Sequence, residues 1–369
     1  MERLICTVTN DLTYDQRMIR ICTSLSQAGY EVWLVGRALP GSKPLYPQPF
    51  QQHRLRCHFQ AGKLFYLEYN LRLLYWLYRQ SFDALCAVDL DTILPAFFWC
   101  RLRKKPLVYD AHEYFTETPE VIRRPAVQKV WEAVARFCIP RLKYAYTVGD
   151  MLAERFTQRY GTPFAVVRNL PFRRANAQPL PKAQPPVILY QGALNEGRGL
   201  EAAIDAMQQI EHAQLWLAGE GDLSEALRQH ARSLGLGEKV QFLGYLPPQE
   251  LRELTPQAYI GLNLLENKGL SYYYSLANKA FDYLQAGVPA IHMDFPEYAR
   301  LQAEHPAFLL LEELSADALA QQLRRLLEDE GLYAQLQQAC MQAADELHWE
   351  GEEKKLLAFW AQVLQPANR

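Results

Sequence analysis

Short apolar runs alternate with stretches of helical periodicity along the whole chain. Leu4–Val8, Glu31–Val35, Ala84–Val88 and Leu107–Tyr109 have the length and composition of buried strands. Between the first two, Met18, Ile21, Cys22 and Leu25 share one face of a helix predicted over Asp15–Ala28, with Gly29 as its stop. Continuous apolar strands separated by helices predict parallel sheets with crossover helices. Arg173–Pro186 breaks the rhythm with four prolines and no apolar period, and reads as an extended linker. The alternation then resumes, with strands predicted at Val187–Tyr190, Leu215–Leu217, Val240–Leu243, Ile260–Leu264 and Val288–Ile291. The expected architecture is α/β, with Rossmann-like domains at 1–172 and 187–350 joined by a linker at 173–186. A last helix at about Gly351–Leu364, within the segment 351–369, carries Leu356, Leu357, Phe359 and Trp360. It is expected to cross back to the first domain.

Composition narrows the function classes. At 369 residues, two domains are the default. A formal charge of −2 and a pI near 6.5 argue against a nucleic-acid partner, which needs a basic face. Seven scattered cysteines without a Cys-x-x-Cys pair indicate neither a disulfide framework nor a zinc knuckle, and fit a reducing cytoplasm. Met1–Thr9 is too short an apolar run for a signal peptide, and no window reaches the 18 uncharged apolar residues of a membrane span. The aromatic-rich segment Lys63–Phe82 admits two readings. It is a helix lying on a bilayer, with Lys63, Arg72 and Arg79 at the headgroups, or a buried helix packed on a sheet; its few dispersed polar residues favour packing.

Four features of the second half carry chemistry. Tyr190–Leu200 follows a strand and opens a helix, so Gly192, Gly197 and Gly199 let backbone amides approach a phosphate while Arg198 adds charge. Leu217–Leu223, with Gly219, Glu220 and Gly221, is a second strand-end turn. Phe242–Leu246, with Gly244 and Tyr245, is a third. Parallel sheets bind ligands at these carboxyl ends. In Ser275–His292, Asn278 and Lys279 open a short helix with Asp282 one turn inside. A cation, a helix N-terminus and a carboxylate there suit the phosphates and ribose diol of a nucleotide sugar. In the first half, Asn10, Asp11 and Arg17 stand at the first strand-to-helix turn, either as an acceptor or phosphate loop or around a cap made by Asp15. His112 ends a strand beside Asp110 and Glu113, whose charges favour imidazolium. Asp89 and Asp91 are either metal ligands or, for Asp91, a helix cap, and the cap fits the helical pattern that follows. Arg123 and Arg124 are either a solvated turn or an acceptor-phosphate site.

These motifs, with TNDLTYDQR at 9–17, YDAHEYFTE at 109–117, YQGALNEGRGL at 190–200 and GLNLLENKGLSYYYSLANKAFDYLQAGVP at 261–289, resemble the family 4 (group 1) retaining glycosyltransferases of GT-B fold over nearly the whole chain. The resemblance implies two Rossmann-like domains facing across a cleft, with the donor held by the C-terminal domain and the acceptor by the N-terminal one. It implies metal-independent transfer, without a cofactor, from a UDP- or GDP-sugar to a glycan, lipid-linked or protein-linked acceptor in polysaccharide biosynthesis. The site is expected in the cytoplasm, with peripheral contact at the inner membrane face as a further option. Arg198 and Lys279 are implied to neutralise the donor diphosphate, Asp282 to take the ribose hydroxyls, and His112 to meet a hydroxyl of the donor sugar. Glu220 or Asp222, Gly244 and Tyr245 are implied near the nucleotide, as are Ser275 and Asn278.

Two positions depart from the family pattern. Tyr274 stands eight residues before Asp282, where the family has an acid, and Ala193 stands where an arginine is common. Tyr272, Tyr273 and Tyr274 either stack on a sugar or base or line a loop. The alternative to a transferase is a GT-B nucleotide-sugar epimerase or hydrolase, or a non-catalytic binding module. An epimerase needs carboxylates beside the sugar, which Tyr274 does not supply.

Overall fold

The computed structural model describes residues 1–174 and 181–365. Positions 175–180 of the expected linker, and 366–369 of the final segment, lie outside the described residues. The chain forms two compact units: Met1–Asn169 with the chain from Glu352 onward, and Leu170–Gly351.

Unit 1 holds seven strands: β1 (Arg3–Thr7), β2 (Glu31–Ala38), β3 (Gln51–Arg56), β4 (Ala84–Val88), β5 (Leu107–Ala111), β6 (Tyr144–Thr147) and β7 (Phe164–Val166). They pair in parallel in the order β3-β2-β1-β4-β5-β6-β7. Unit 2 holds β8 (Val187–Gln191), β9 (Gln214–Ala218), β10 (Val240–Gly244), β11 (Ile260–Asn263), β12 (Ala290–Met293) and β13 (Phe308–Leu311). Their parallel order is β10-β9-β8-β11-β12-β13. Both sheets therefore start in the middle and reverse direction once, between β1 and β4 and between β8 and β11. At those reversals the flanking loops diverge and leave a crevice at the carboxyl ends.

Burial explains which strands show in the sequence. β4, β5 and β8 are buried at every position, so they read as unbroken apolar runs. β3 lies at an edge, reads Gln-Gln-His-Arg-Leu-Arg, and buries only Leu55. Val288 lies outside β12; its amide donates to the Tyr283 carbonyl (3.0 Å) and closes the preceding helix. The first helix is Gln16–Gln27, capped by Asp15, whose Oδ1 accepts from the Met18 amide at 3.0 Å.

The last helix begins at Trp349 and runs to Leu364. Glu352 accepts from the Arg168 amide (2.8 Å), Phe359 meets Tyr146 edge-on at 5.1 Å, and Leu356 and Trp360 are fully buried. Among the described residues no helix is long and apolar enough to cross a membrane. Trp360→Ala is expected to cost unit 1 about 3–5 kcal/mol, as for other buried aromatic truncations. Urea unfolding checks this, and an unchanged midpoint would show that the helix is dispensable.

Candidate functional site

In unit 2 the glycines predicted at strand ends are required by close approach of neighbouring atoms or by a positive φ. A Cβ on Gly219 would lie 1.9 Å from the Gly192 carbonyl oxygen, and one on Gly221 would lie 2.2 Å from Asn195 Oδ1. Gly192, Gly197, Gly199 and Gly244 all have positive φ. The loops after β8 and β9 are laced together: the Leu194 amide donates to the Glu220 carbonyl (3.2 Å) and the Leu223 amide to the Leu194 carbonyl (2.9 Å). The Glu266 amide, after β11, donates to the Gly197 carbonyl (3.0 Å). Three loops thus converge on the crevice beside β8.

Two cations enter it. Lys279, in the first turn of the helix Asn278–Gln285, lays its Nζ over the Tyr190 ring at 3.8 Å from the centroid. Burial, and then the neighbouring Arg198 charge, hold the ammonium well below the ordinary lysine value, against the pull of Asp282. Arg198 places its guanidinium over the Tyr272 ring at 5.0 Å, and its buried Nε has no hydrogen-bond partner among the described residues. A half-buried ammonium and a guanidinium with an unsatisfied donor, both at glycine-rich turns, make a site prepared for an anion.

Asp282 accepts from Gln191 Nε2 at 3.0 Å, and Gln191 Oε1 accepts from Thr255 Oγ1 at 2.9 Å. Tyr190 and Gln191 belong to the 190–200 motif but were assigned no role from the sequence; their signal was their place at the end of the central strand. The other predicted residues are distributed as follows. Glu220 is engaged by Arg228 at 2.7 Å, and hydrogen bonds from Ser224 and Arg228 lower its carboxyl. Tyr245 is exposed on the turn after β10. Tyr274 follows a short helix, Leu270–Tyr273, and meets Tyr273 edge-on at 5.2 Å. Ser275 donates its amide to the Tyr272 carbonyl (3.1 Å), and Asn278 is exposed at the helix start. Glu266 pairs with Lys268 at 2.8 Å.

The remaining predicted residues belong to unit 1. His112 Nε2 lies 3.2 Å from Asp110 Oδ2, and its amide donates to Asp89 Oδ1 at 3.0 Å. Burial opposes the imidazolium, yet Asp110 and then Asp89 outweigh it and raise the group from 6.5 to about 9. Asp110 is itself fully buried, and Arg17 and His112 bring its carboxyl down to about 2 against that burial. Arg17 is buried too, donating to Asp110 Oδ1 and to the Val167 carbonyl, each at 2.8 Å. It is therefore directed at Asp110 and not at the surface of the loop. Asn10 donates to Asp15 Oδ2 (2.7 Å), and Asp11 accepts from Ser42 Oγ (3.0 Å). Asp91 accepts from Thr9 Oγ1 at 2.6 Å and does not cap the next helix, whose N-cap is Thr92. Among the described residues no three His, Cys, Asp or Glu side chains cluster as a metal site. Arg123 and Arg124 are exposed.

Sheet order and site together define an α/β protein of paired Rossmann-like units, with an anion-ready crevice at the carboxyl end of its second sheet. The family profile described as "Glycosyl transferases group 1" matches residues 172–344, and that of "Glycosyltransferase Family 4" matches 16–170. The lipopolysaccharide core biosynthesis glycosyltransferase LpsD of Rhizobium meliloti (strain 1021) is 28% identical over 158 residues, 41% of each chain. The match thus spans well under half of that relative. Among solved structures, sucrose-phosphate synthase of Thermosynechococcus elongatus aligns with TM-score 0.78 at 18% identity, over 98% of this chain and 99% of that one. HepE of Anabaena, solved with UDP and glucose, gives 0.76 at 13%, over 98% and 100%. WaaG, a glycosyltransferase involved in lipopolysaccharide biosynthesis, gives 0.74 at 16%, over 99% and 100%. The fold is GT-B, and the chain belongs to the family 4, group 1 glycosyltransferases.

The charge network of unit 1 sets a pH window. His112 is raised on folding, so its contribution is complete below pH 6.5 and is lost as pH rises through about 9. Asp110 is lowered, so its contribution is present above 3.8 and is lost as pH falls through about 2. Ring-proton NMR should show His112 titrating near 9 in the wild type and markedly lower in Asp110→Asn, where burial persists without its main counter-charge. A wild-type midpoint at the ordinary value would contradict the network. Arg17→Met, which strands a buried carboxylate, should cost about 3–5 kcal/mol in urea unfolding.

Proposed function

We propose that the protein is a metal-independent, retaining glycosyltransferase moving a sugar from a UDP- or GDP-sugar to a glycan, lipid-linked or protein-linked acceptor. The observation that carries this reading is the Lys279–Arg198 pair: two basic side chains beside a glycine cradle, with the buried Arg198 Nε lacking a hydrogen-bond partner among the described residues. Breaking the bond between the anomeric carbon and the diphosphate oxygen leaves growing negative charge on the leaving group. Fixed cations and the N-terminal turn of Asn278–Gln285 would stabilise that charge as it forms. The new bond joins the same face of the anomeric carbon to an acceptor hydroxyl, whose proton passes to the departing phosphate. Asp282, oriented by Gln191, is assigned to the ribose. His112, held as imidazolium by Asp110, is assigned to a hydroxyl of the donor sugar. In this scheme unit 2 takes the donor and unit 1 the acceptor.

Several observations support the finer choices. HepE was solved with UDP and glucose, which favours a uridine nucleotide. LpsD and WaaG are named for lipopolysaccharide biosynthesis, which favours a growing glycan as acceptor. All seven cysteines are unpaired, in keeping with a reducing cytoplasm.

Thermal shift with UDP, GDP and their sugars tests the donor site: a uridine nucleotide should raise the melting point, and Lys279→Ala should lose most of that rise. Turnover should fall roughly a thousandfold in Lys279→Ala or Arg198→Ala, the scale for removing one donor to a developing anion. Failure of every nucleotide to shift the transition refutes the assignment. His112→Ala should slow transfer while leaving nucleotide affinity near wild type. Activity should survive EDTA; loss restored by Mn²⁺ would refute metal independence. Burial holds the Lys279 ammonium below the ordinary lysine value and a bound diphosphate would raise it again, so proton exchange on UDP binding should be an uptake, visible as a dependence of the calorimetric heat on buffer ionisation enthalpy.

A further inference from the structure

The helix Gly62–Tyr78 is apolar on two opposite faces. Phe65, Tyr69, Leu73 and Leu77 form the buried face. On the other side Leu64, Leu67, Leu71, Tyr75 and Tyr78 recur at intervals of three and four residues, the spacing of one stripe along a helix. These five side chains are between 48% and 63% exposed. A helix apolar all round is ordinarily buried all round, and this one is not.

Its neighbours extend the stripe. The helix Ile93–Arg103 packs beside it, with Trp99 Nε1 donating to the Leu74 carbonyl at 2.8 Å, and exposes Phe98 and Leu102, the latter at 71%. The helix Pro125–Cys138 touches both: Phe137 meets Phe97 at 5.5 Å and Trp131 meets Tyr66 at 5.3 Å. It exposes Val130 and Phe137. An apolar surface spread over three adjacent helices marks an interaction site.

Charge identifies the partner. Residues 62–79, 93–105 and 119–143 together carry thirteen Lys or Arg against three Glu, within a chain whose formal net charge is −2. Two of those acids are already engaged, Glu68 by Arg72 at 2.8 Å and Glu132 by Arg159 at 2.5 Å. Arg101, Lys104, Lys129 and Arg136 are exposed among the apolar side chains. A second copy of this chain would bring two such positive faces together and be repelled.

We propose that these three helices dock unit 1 on an anionic lipid bilayer. Leucine, phenylalanine and valine side chains enter the boundary between headgroups and acyl chains, while Tyr75 and Tyr78 sit at headgroup level. The cations extend toward lipid phosphates. The proposal stands apart from the donor-site reading and does not depend on it.

Co-sedimentation of the full chain with vesicles tests it, comparing phosphatidylcholine alone with phosphatidylcholine and phosphatidylglycerol in equal parts. The wild type should pellet with the mixed vesicles, release as salt is raised, and bind pure phosphatidylcholine much more weakly. Arg101→Gln with Lys104→Gln should weaken binding about fivefold per cation removed. Leu67→Gln with Leu71→Gln should weaken it by about tenfold or more while leaving the melting transition in place, since both positions face solvent. A wild type that stays in the supernatant overturns the proposal, as does undiminished binding by the leucine variant. Self-association abolished by the leucine variant, without vesicle binding, would assign the face to a second copy instead and overturn it equally.

Discussion

At the carboxyl end of the second sheet, a carbonyl oxygen occupies the place where a side chain would otherwise begin. The Gly192 carbonyl lies 1.9 Å from where a Cβ on Gly219 would stand, so β8 and β9 leave the sheet with their backbones nearly touching. The hydrogen bonds that lace the two turns follow from this approach, and so does the open backbone of Gly192. That opening is what Lys279 reaches: a Cβ on Gly192 would come within 3.2 Å of its Nζ. Bulk at Gly219 would therefore push on the turn and the cation together. The chemistry of the crevice rests on that steric fact before any charge is considered.

The same strand order serves opposite electrostatics in the two units. In unit 1 the loops after β1 and β4 are joined across the reversal by Thr9 and Asp91, and the strand-end groups are mostly acids. Their surplus raises His112 and is partly balanced by the buried Arg17. Asp89 holds the His112 amide from a left-handed backbone conformation, φ 54°, that a non-glycine residue adopts only when its surroundings over-determine it. In unit 2 the basic side chains Lys279 and Arg198 stand at the reversal, and Lys279 is pushed the other way. One topology thus carries a proton-holding cluster in one unit and an anion-seeking one in the other.

The central strands were legible in the sequence because parallel strands covered on both faces are apolar throughout, as β4 and β8 are. β3 was not, since an edge strand needs only one inward side chain and Leu55 is it. β6, β7 and β13, each of three or four residues, were not read as strands. At the site, the glycines and Lys279 announced themselves by residue type. Gln191 and Tyr190 did not, because their importance comes from lying at the end of β8 beneath a cation and an acid contributed by a helix ninety residues away. Arg17 looked like a surface cation of a polar turn, and only the packing of its helix on the sheet directs it at Asp110. Periodicity in 63–82 showed an aromatic helix but could not show that two of its faces are apolar and only one is covered.

Lys279 has a chemical consequence beyond attraction. Burial that lowers the ammonium also raises, at any given pH, the share of amine with a free lone pair, and with it the nucleophilicity of the side chain relative to a solvated lysine. An aldehyde carried into the crevice, such as the ring-opened ribose of a periodate-treated nucleotide, would meet that lone pair and condense to an imine. The environment that readies the side chain for a phosphate thus also makes it a point of covalent attachment. An inhibitor that places its carbonyl near Tyr190 would exploit that reactivity.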